Sequence, residues 1–462
     1  MSLDPSDIQG NILRGYRASV ARHFAVQINS ASEGRRFVAS LVPKGRPQRL
    51  EITTEAAPSS VREWFLNIGF TCDGLRGLQL PDAILRKFPQ AFREGPARRA
   101  STLGDVEESN PIRWELGGPR NPPIHFILSV HVKGVKGEDP GELTCSLRKL
   151  GELTESFEGV ARNHHLGIVH RVDARALPDK KVHFGYKDGL SQPRIDGVPG
   201  STRDGDGQAA SSPGEFLLGC GHPNQFDGDF LGDLPPGLGR NGSYFALRIL
   251  EQDVHAFETY LAQQSSCSGR SRDYLAARML GRWPDGTPLR LSPDGPSAQP
   301  HEQTSNAFGY AGDDEGVDCP IGSHIRRLNP RDSLVIGKPR TRRIIRRGMP
   351  YGPPYDPKAG GDGKVRGLIG LFICGDLEQQ FEFLQEVYIN GDTSRARIRD
   401  TRDPLMGAHR GEPHDTFTFR CPQGEAVTLR NLPRFVHTRG SVYGFMPGIN
   451  GLKYLASIGS ER

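Results

Sequence analysis

The sequence predicts an α+β fold in which helices cover one face of a mainly antiparallel sheet, and it predicts that arrangement twice. Three observations carry the prediction. Short runs alternate apolar and polar residues with the period of a half-buried strand. Segments with apolar residues at three- and four-residue steps lie between them. The 57 glycines and 36 prolines among 462 residues demand many loops rather than long helical bundles.

In chain order, "ARHFAVQI" (Ala21 to Ile28) sets Phe24, Val26 and Ile28 against more polar neighbours and reads as a strand. "ASEGRRFVASLV" after it reads as a helix. "REWFLNIGFT" (Arg62 to Thr71) and "PIHFILSVHVKG" (Pro123 to Gly134) read as strands. "GELTCSLRKLGELTESFEGV" suits a helix, with Leu143, Leu147, Leu150 and Leu153 on one side. A glycine-rich segment from His183 to Gly197 and a stretch of disordered composition, "VPGSTRDGDGQAASSPG", come next. The same alphabet then returns. "EFLLGC" and "NGSYFALRIL" read as strands, "EQDVHAFETYLAQQ" and "DYLAARMLGRW" as helices, and "GLIGLFICG" as a buried strand. "DLEQQFEFLQEVYI" reads as a helix capped by Asp376, with Leu377, Phe381, Leu384 and Tyr388 on one face. No short tandem repeat is present, and the chain divides into two expected domains, 1–182 and 183–462.

Composition narrows the function. Hydrophobic residues make up 35% and charged residues 24%, which is ordinary for a globular protein. A net charge of +5 is small beside 59 basic and 54 acidic groups, so no nucleic-acid partner is expected. The longest strongly apolar run, Gly367 to Gly375, is too short to cross a bilayer, so no membrane partner is expected. The first residues, "MSLDPSDIQG", contain two aspartates and do not read as a signal peptide. Seven cysteines, at 72, 145, 220, 267, 319, 374 and 421, show no paired spacing; they predict reduced thiols and a cytoplasmic protein.

Several chemistries find no motif. There is no G-x-S-x-G nucleophile elbow, no P-loop and no G-x-G-x-x-G opening a helix. Cys319 and His324 lack the second pair that a structural zinc site needs, and His164, His165 and His170 have no helix-face spacing. The basic run from Lys338 to Arg347 includes Ile344 and Ile345 and reads as a partly buried strand. What remains is Asp188, held between glycines in "HFGYKDGLSQPRIDG", together with His324 and the arginines of "RRIIRRG". Alone, the Asp188 segment fits a plain Asp-Gly turn. A histidine, a carboxylate and an arginine are also what a haem peroxidase needs: an imidazole to ligate iron, a base to move the proton of hydrogen peroxide, and a fixed cation for the charge that builds as the O–O bond breaks.

The chain resembles the dye-decolorizing peroxidases. "GYKDG" (Gly185 to Gly189) matches the family's G-x-x-D-G signature, "HIRRLNPR" (His324 to Arg331) its proximal-histidine segment, and "IIRRGMPYG" (Ile344 to Gly352) its distal-arginine segment. Weaker matches are "QGNILRGY", "NGSYFALRILEQDV", "GLFICGDLEQQFEFLQ" and "LPRFVHTRGSVYGFMPGINGLKYLA". The resemblance implies two ferredoxin-like halves and one haem b per chain, bound by the second half. It implies His324 as the iron ligand, Asp188 as the distal acid-base group and Arg346 as the distal cation, with the adjacent Arg347 as the alternative. Gly185 and Gly189 would let the Asp188 loop lie against the haem, while Phe372 and Leu371 would wall the pocket. The sequence departs from the common pattern at Gly370, where a bulkier aliphatic side chain often stands. A carboxylate should orient the second ring nitrogen of His324; Glu382 is the candidate, with Asp376 second.

The function implied is a haem b peroxidase that reduces hydrogen peroxide while oxidising bulky aromatic donors such as dyes and phenolics. A haem-binding or delivery protein, or a haem-iron-releasing enzyme on the same fold, is the alternative; Asp188 and Arg346 together favour the peroxidase. Donors too large for the pocket would pass electrons through surface aromatics, for which Trp64, Trp114, Trp283 and eleven tyrosines are available.

Overall fold

The computed structural model describes residues 3–44, 50–56, 62–198, 209–221, 233–296, 306–333, 342–391, 401–421 and 424–459. Four strands come from the first part of the chain: β1 (Ala18–Ile28), β2 (Trp64–Phe70), β3 (Phe126–Lys133) and β4 (Leu166–Arg175). Four more and a final one come from the second: β5 (Ser243–Gln252), β6 (Ile345–Arg346), β7 (Met349–Tyr351), β8 (Gly367–Cys374) and, after a small hairpin of β9 (Phe417–Arg420) and β10 (Ala426–Leu429), β11 (Val436–Met446). The large sheet has the order β4-β1-β3-β2-β11-β5-β8-β6, with β7 also on β8, and every pairing is antiparallel.

Each half is a β-α-β-β-α-β unit whose first strand lies beside its third and fourth, the ferredoxin-like arrangement. The first half carries the helices Ala31–Leu41 and Thr144–Asn163. The second carries Val254–Ser268 and Arg272–Leu280, then two consecutive π-helical turns, Leu377–Glu382 and Leu384–Ile389. The halves join edge to edge where Phe445 of β11 pairs with Phe70 of β2. The sheet then curls, so that β4 comes against β7 and β8.

Curling gives the sheet an inner and an outer face. Inner residues of both halves, among them Ala25, Ile127, Leu247, Ile369, Leu371 and Ile373, form one shared core. Outer residues pack under the helices, as Phe24, Leu66 and Leu128 do in the first half and Leu250 in the second. Strand alternation therefore decides which side chains of β6 and β8 can meet a ligand on the outer, helix-covered face.

Most predicted elements are present. Two readings change. "EFLLGC" forms no strand; Pro213–Glu215 is a short 3-10 turn, because Ser212 caps it and Pro213 fixes its start. The helix after Asp376 has π geometry, with Asp376 accepting from the Gln379 N–H as its cap. The stretch of disordered composition falls largely on residues 199–208 and the basic run partly on 338–341, both outside the described residues. Cys72, Cys145, Cys267, Cys319, Cys374 and Cys421 are free thiols, and no helix among the described residues is long and apolar enough to cross a membrane.

Candidate active site

His324 opens the five-residue helix His324–Leu328. Its Nδ1 lies 3.0 Å from Oδ2 of Asp403, whose side chain is fully buried. Burial alone would push the Asp403 carboxyl up, but the His324 ring, its hydrogen bond and the Arg327 guanidinium hold it below the usual carboxylate range. An ionised Asp403 can only accept, so Nδ1 of His324 carries the proton and Nε2 presents its lone pair. Asp403 is itself fixed, since its Oδ1 accepts from the N–H groups of Leu405 and Met406 at 2.9 and 2.8 Å. Buried Arg327 ties the helix to its surroundings, donating to the carbonyls of Gly322, Tyr388 and Thr401.

Arg346 stands in register with Phe372 across β6 and β8. Paired residues share a face, so Arg346 and Phe372 both lie on the outer face. Arg347 goes to the opposite side, donating from Nε to the Asn11 carbonyl at 2.7 Å and from Nη2 to the Ile12 carbonyl at 2.9 Å. Burial pushes its guanidinium down to about 10. Arg346 instead meets the loop that carries Asp188. Its N–H donates to the Gln192 side-chain oxygen at 3.1 Å, and its Nη2 donates to the Ser191 carbonyl at 3.2 Å. Asp188 is exposed and anchored by its own N–H, which donates to the Lys180 carbonyl at 3.0 Å. Gly185 and Gly189 take φ of +86° and +75°, which is why glycine stands on both sides of the aspartate.

One segment touches both the His324 helix and the Asp188 loop. Gly281, at φ +95°, lies so close to Ile325 that a Cβ there would clash with it. Five residues on, Gly286 packs on Leu190, just beyond Asp188. Between them Arg282 donates to the side-chain oxygen of Asn306 at 2.7 Å, and Asn306 donates to the Leu190 carbonyl. Burial pushes the Arg282 guanidinium down to about 10, helped by the neighbouring charges of Arg331 and Arg346. A cavity of about 300 Å³ opens beside this group, lined in part by Ser211, Phe308, Asn329, Arg331 and Arg343. The donor set fits a haem: an imidazole with Nε2 available, and the guanidiniums of Arg331 and Arg343 on the cavity wall, groups of the kind that hold carboxylates.

No family model matches the chain. A dye-decolorizing peroxidase from Mycena epipterygia is 28% identical over 99% of this chain and 88% of its own. The multifunctional dye peroxidase DyP2 of an Amycolatopsis strain is 27% identical over 97% of this chain and 95% of its own. The solved structure of a dye-decolorizing peroxidase in complex with 2,6-dimethoxyphenol superposes with a TM-score of 0.79 at 27% identity, covering 98% of this chain and 100% of that one. Over nearly its whole length the chain is similar to dye-decolorizing peroxidases.

Within this site, two sequence expectations are corrected. The carboxylate on His324 is Asp403, not Glu382 or Asp376. Glu382 is committed elsewhere, accepting from Arg99 Nε at 2.6 Å and from the Tyr443 hydroxyl at 2.9 Å, while Asp376 caps its helix. Leu371 does not wall a pocket with Phe372. As neighbours on one strand they point to opposite faces, and Leu371 sits in the inner core beside Phe245 and Met446. The Gly370 departure has a local cause: a Cβ there would lie 2.5 Å from the Phe372 ring, so the ring covers the space a side chain would take. Asp403 was missed because it lies 79 residues from His324. Its local signal, Asp-Pro with side-chain bonds to the following N–H groups, is only that of a turn.

Proposed function

We propose that this protein is a haem-dependent peroxidase in which His324 holds the iron of one haem b per chain. Asp188 and Arg346 act on bound hydrogen peroxide, and the electrons come from aromatic donors. The observation that carries this reading is the His324–Asp403 pair, on a chain that resembles dye-decolorizing peroxidases over nearly its whole length. When bound, the haem supplies the redox chemistry that splits peroxide and draws electrons from the donor.

The chain's own residues supply the rest. Asp403 keeps the proton on Nδ1 of His324 and raises the basicity of Nε2. Asp188 takes the proton from one peroxide oxygen and returns it to the departing oxygen. Arg346, braced by Ser191, keeps a cation where negative charge develops as the O–O bond breaks. Gly185 and Gly189 give the Asp188 loop its shape, and the Phe372 ring walls the same side. Phenolic donors are supported by the relative that binds 2,6-dimethoxyphenol. Six free thiols among the described residues support a reducing, cytoplasmic compartment.

The test is an absorption spectrum of the purified protein followed by peroxide-dependent oxidation of 2,6-dimethoxyphenol and of an anthraquinone dye. A Soret band with turnover of either donor is expected. A haem-loaded protein that leaves both donors untouched contradicts the peroxidase and leaves the haem carrier standing.

A further inference from the structure

β6 is only two residues long, so its ladder with β8 fixes Arg346 through few hydrogen bonds. Something else must set where the strand begins. The residue at its entry, Arg343, is gripped on both sides. Its carbonyl accepts from the buried Gln380 side chain at 2.6 Å. Its N–H bonds to the carboxylate of Glu215, which also takes the Ser211 side chain. Glu215 is 2% exposed and its Oε2 has no hydrogen-bond partner, while the charge of Arg343 lies near enough to act on its carboxyl. The Glu215 carbonyl in turn accepts from the Gly375 N–H at 2.8 Å and from Gln380 at 2.9 Å, which ties it to the end of β8.

We infer that Glu215 and Gln380 are positioning residues of the distal site: together they clamp Arg343, fix the start of β6 against the end of β8, and so hold Arg346 over the place where peroxide reacts. The inference rests on the peroxidase reading above. Neither residue touches the reacting atoms. Their effect passes through three residues of backbone to the Arg346 guanidinium, where a displacement of about 1 Å is enough to slow chemistry by up to roughly 100-fold. Ser211 links the same carboxylate to the cavity wall, since its N–H and carbonyl also pair with Arg194 and Asp196 of the Asp188 loop.

The experiment uses full-length haem-loaded protein. Glu215→Met keeps the volume and removes the acceptors; Glu215→Gln keeps an acceptor oxygen. Stopped-flow measurement should show Glu215→Met reacting with hydrogen peroxide roughly 10- to 100-fold more slowly than wild type. Its haem content and its KM for 2,6-dimethoxyphenol should be unchanged, and Glu215→Gln should restore the rate. If Glu215→Met does not fold, Gln380→Met, which frees the other side of Arg343, takes its place with the same expected result. A wild-type rate in the Met variant, or an equal loss in Glu215→Gln, overturns the clamp. A wild-type protein inert to peroxide contradicts the peroxidase itself. Wild type and Glu215→Met that react alike, with Arg346→Leu slow, defeats the clamp alone.

Discussion

The Nδ1 atom of His324 lies 3.0 Å from Oδ2 of Asp403, an aspartate with no exposed side-chain surface. The buried carboxylate stays ionised because the histidine and two backbone N–H groups satisfy it, so the pair assigns the proton and the lone pair of the ring. Asp403→Asn should retain haem while lowering metal affinity or activity about 10- to 100-fold, as loss of such partners generally does. It should also raise the reduction potential, because a neutral partner makes His324 a weaker donor. An unchanged potential in spectroelectrochemical titration would show that Asp403 does not act through the ring.

Asp188 and Arg346 should share one task. Asp188→Asn removes a positioned base, a loss of about 10²–10⁴-fold, and Arg346→Leu removes a fixed cation, a loss of roughly 10²–10³-fold. Both variants should keep their haem, and the double variant should lose less than the product of the two, since both groups act on one peroxide. Wild-type rates of reaction with peroxide in both single variants would disprove the distal assignment.

Arg347 offers the control. It donates to the Asn11 and Ile12 carbonyls on the inner side of the sheet, away from Phe372. Arg347→Leu should therefore cost about 1–3 kcal/mol of stability by stranding those carbonyls, and leave the peroxide rate near wild type. The two arginine variants are to be compared by urea unfolding and stopped flow. An Arg347→Leu protein as stable as wild type but slow with peroxide would exchange the roles.

How much was legible in the sequence follows from the range of each signal. Strand and helix periods are local, and they gave β1, β2, β3, β5 and β8 with the helices between them. "EFLLGC" misled because its apolar residues fill the core from a turn rather than from a strand. His324, Asp188 and Arg346 stand in segments whose residues resemble a family pattern. The resemblance named Arg346 with Arg347 as the alternative; register pairs Arg346 with Phe372 and sends Arg347 to the opposite face. Asp403 and Glu215 act through contacts remote in sequence, and no spacing rule reaches that far.

Glu215 should also mark the pH dependence of stability. Burial pushes its carboxyl up to about 7, against an ordinary value of 4.5. A carboxyl raised by folding costs nothing while neutral in both states. Its cost grows as pH rises through the interval from 4.5 to about 7 and levels off above it. Glu215→Gln should thus gain stability over wild type at pH 8 by at most about 3 kcal/mol, and gain little at pH 4. Urea melts at the two pH values measure this; the same difference at both would contradict it.

The central claim is that His324 is the iron ligand, and the most direct measurement is the haem content and Soret spectrum of His324→Ala. With its one protein ligand removed, the variant should purify with far less haem per chain than wild type, and added imidazole should restore part of the Soret band. A variant with wild-type haem content and an unchanged Soret band would contradict the assignment.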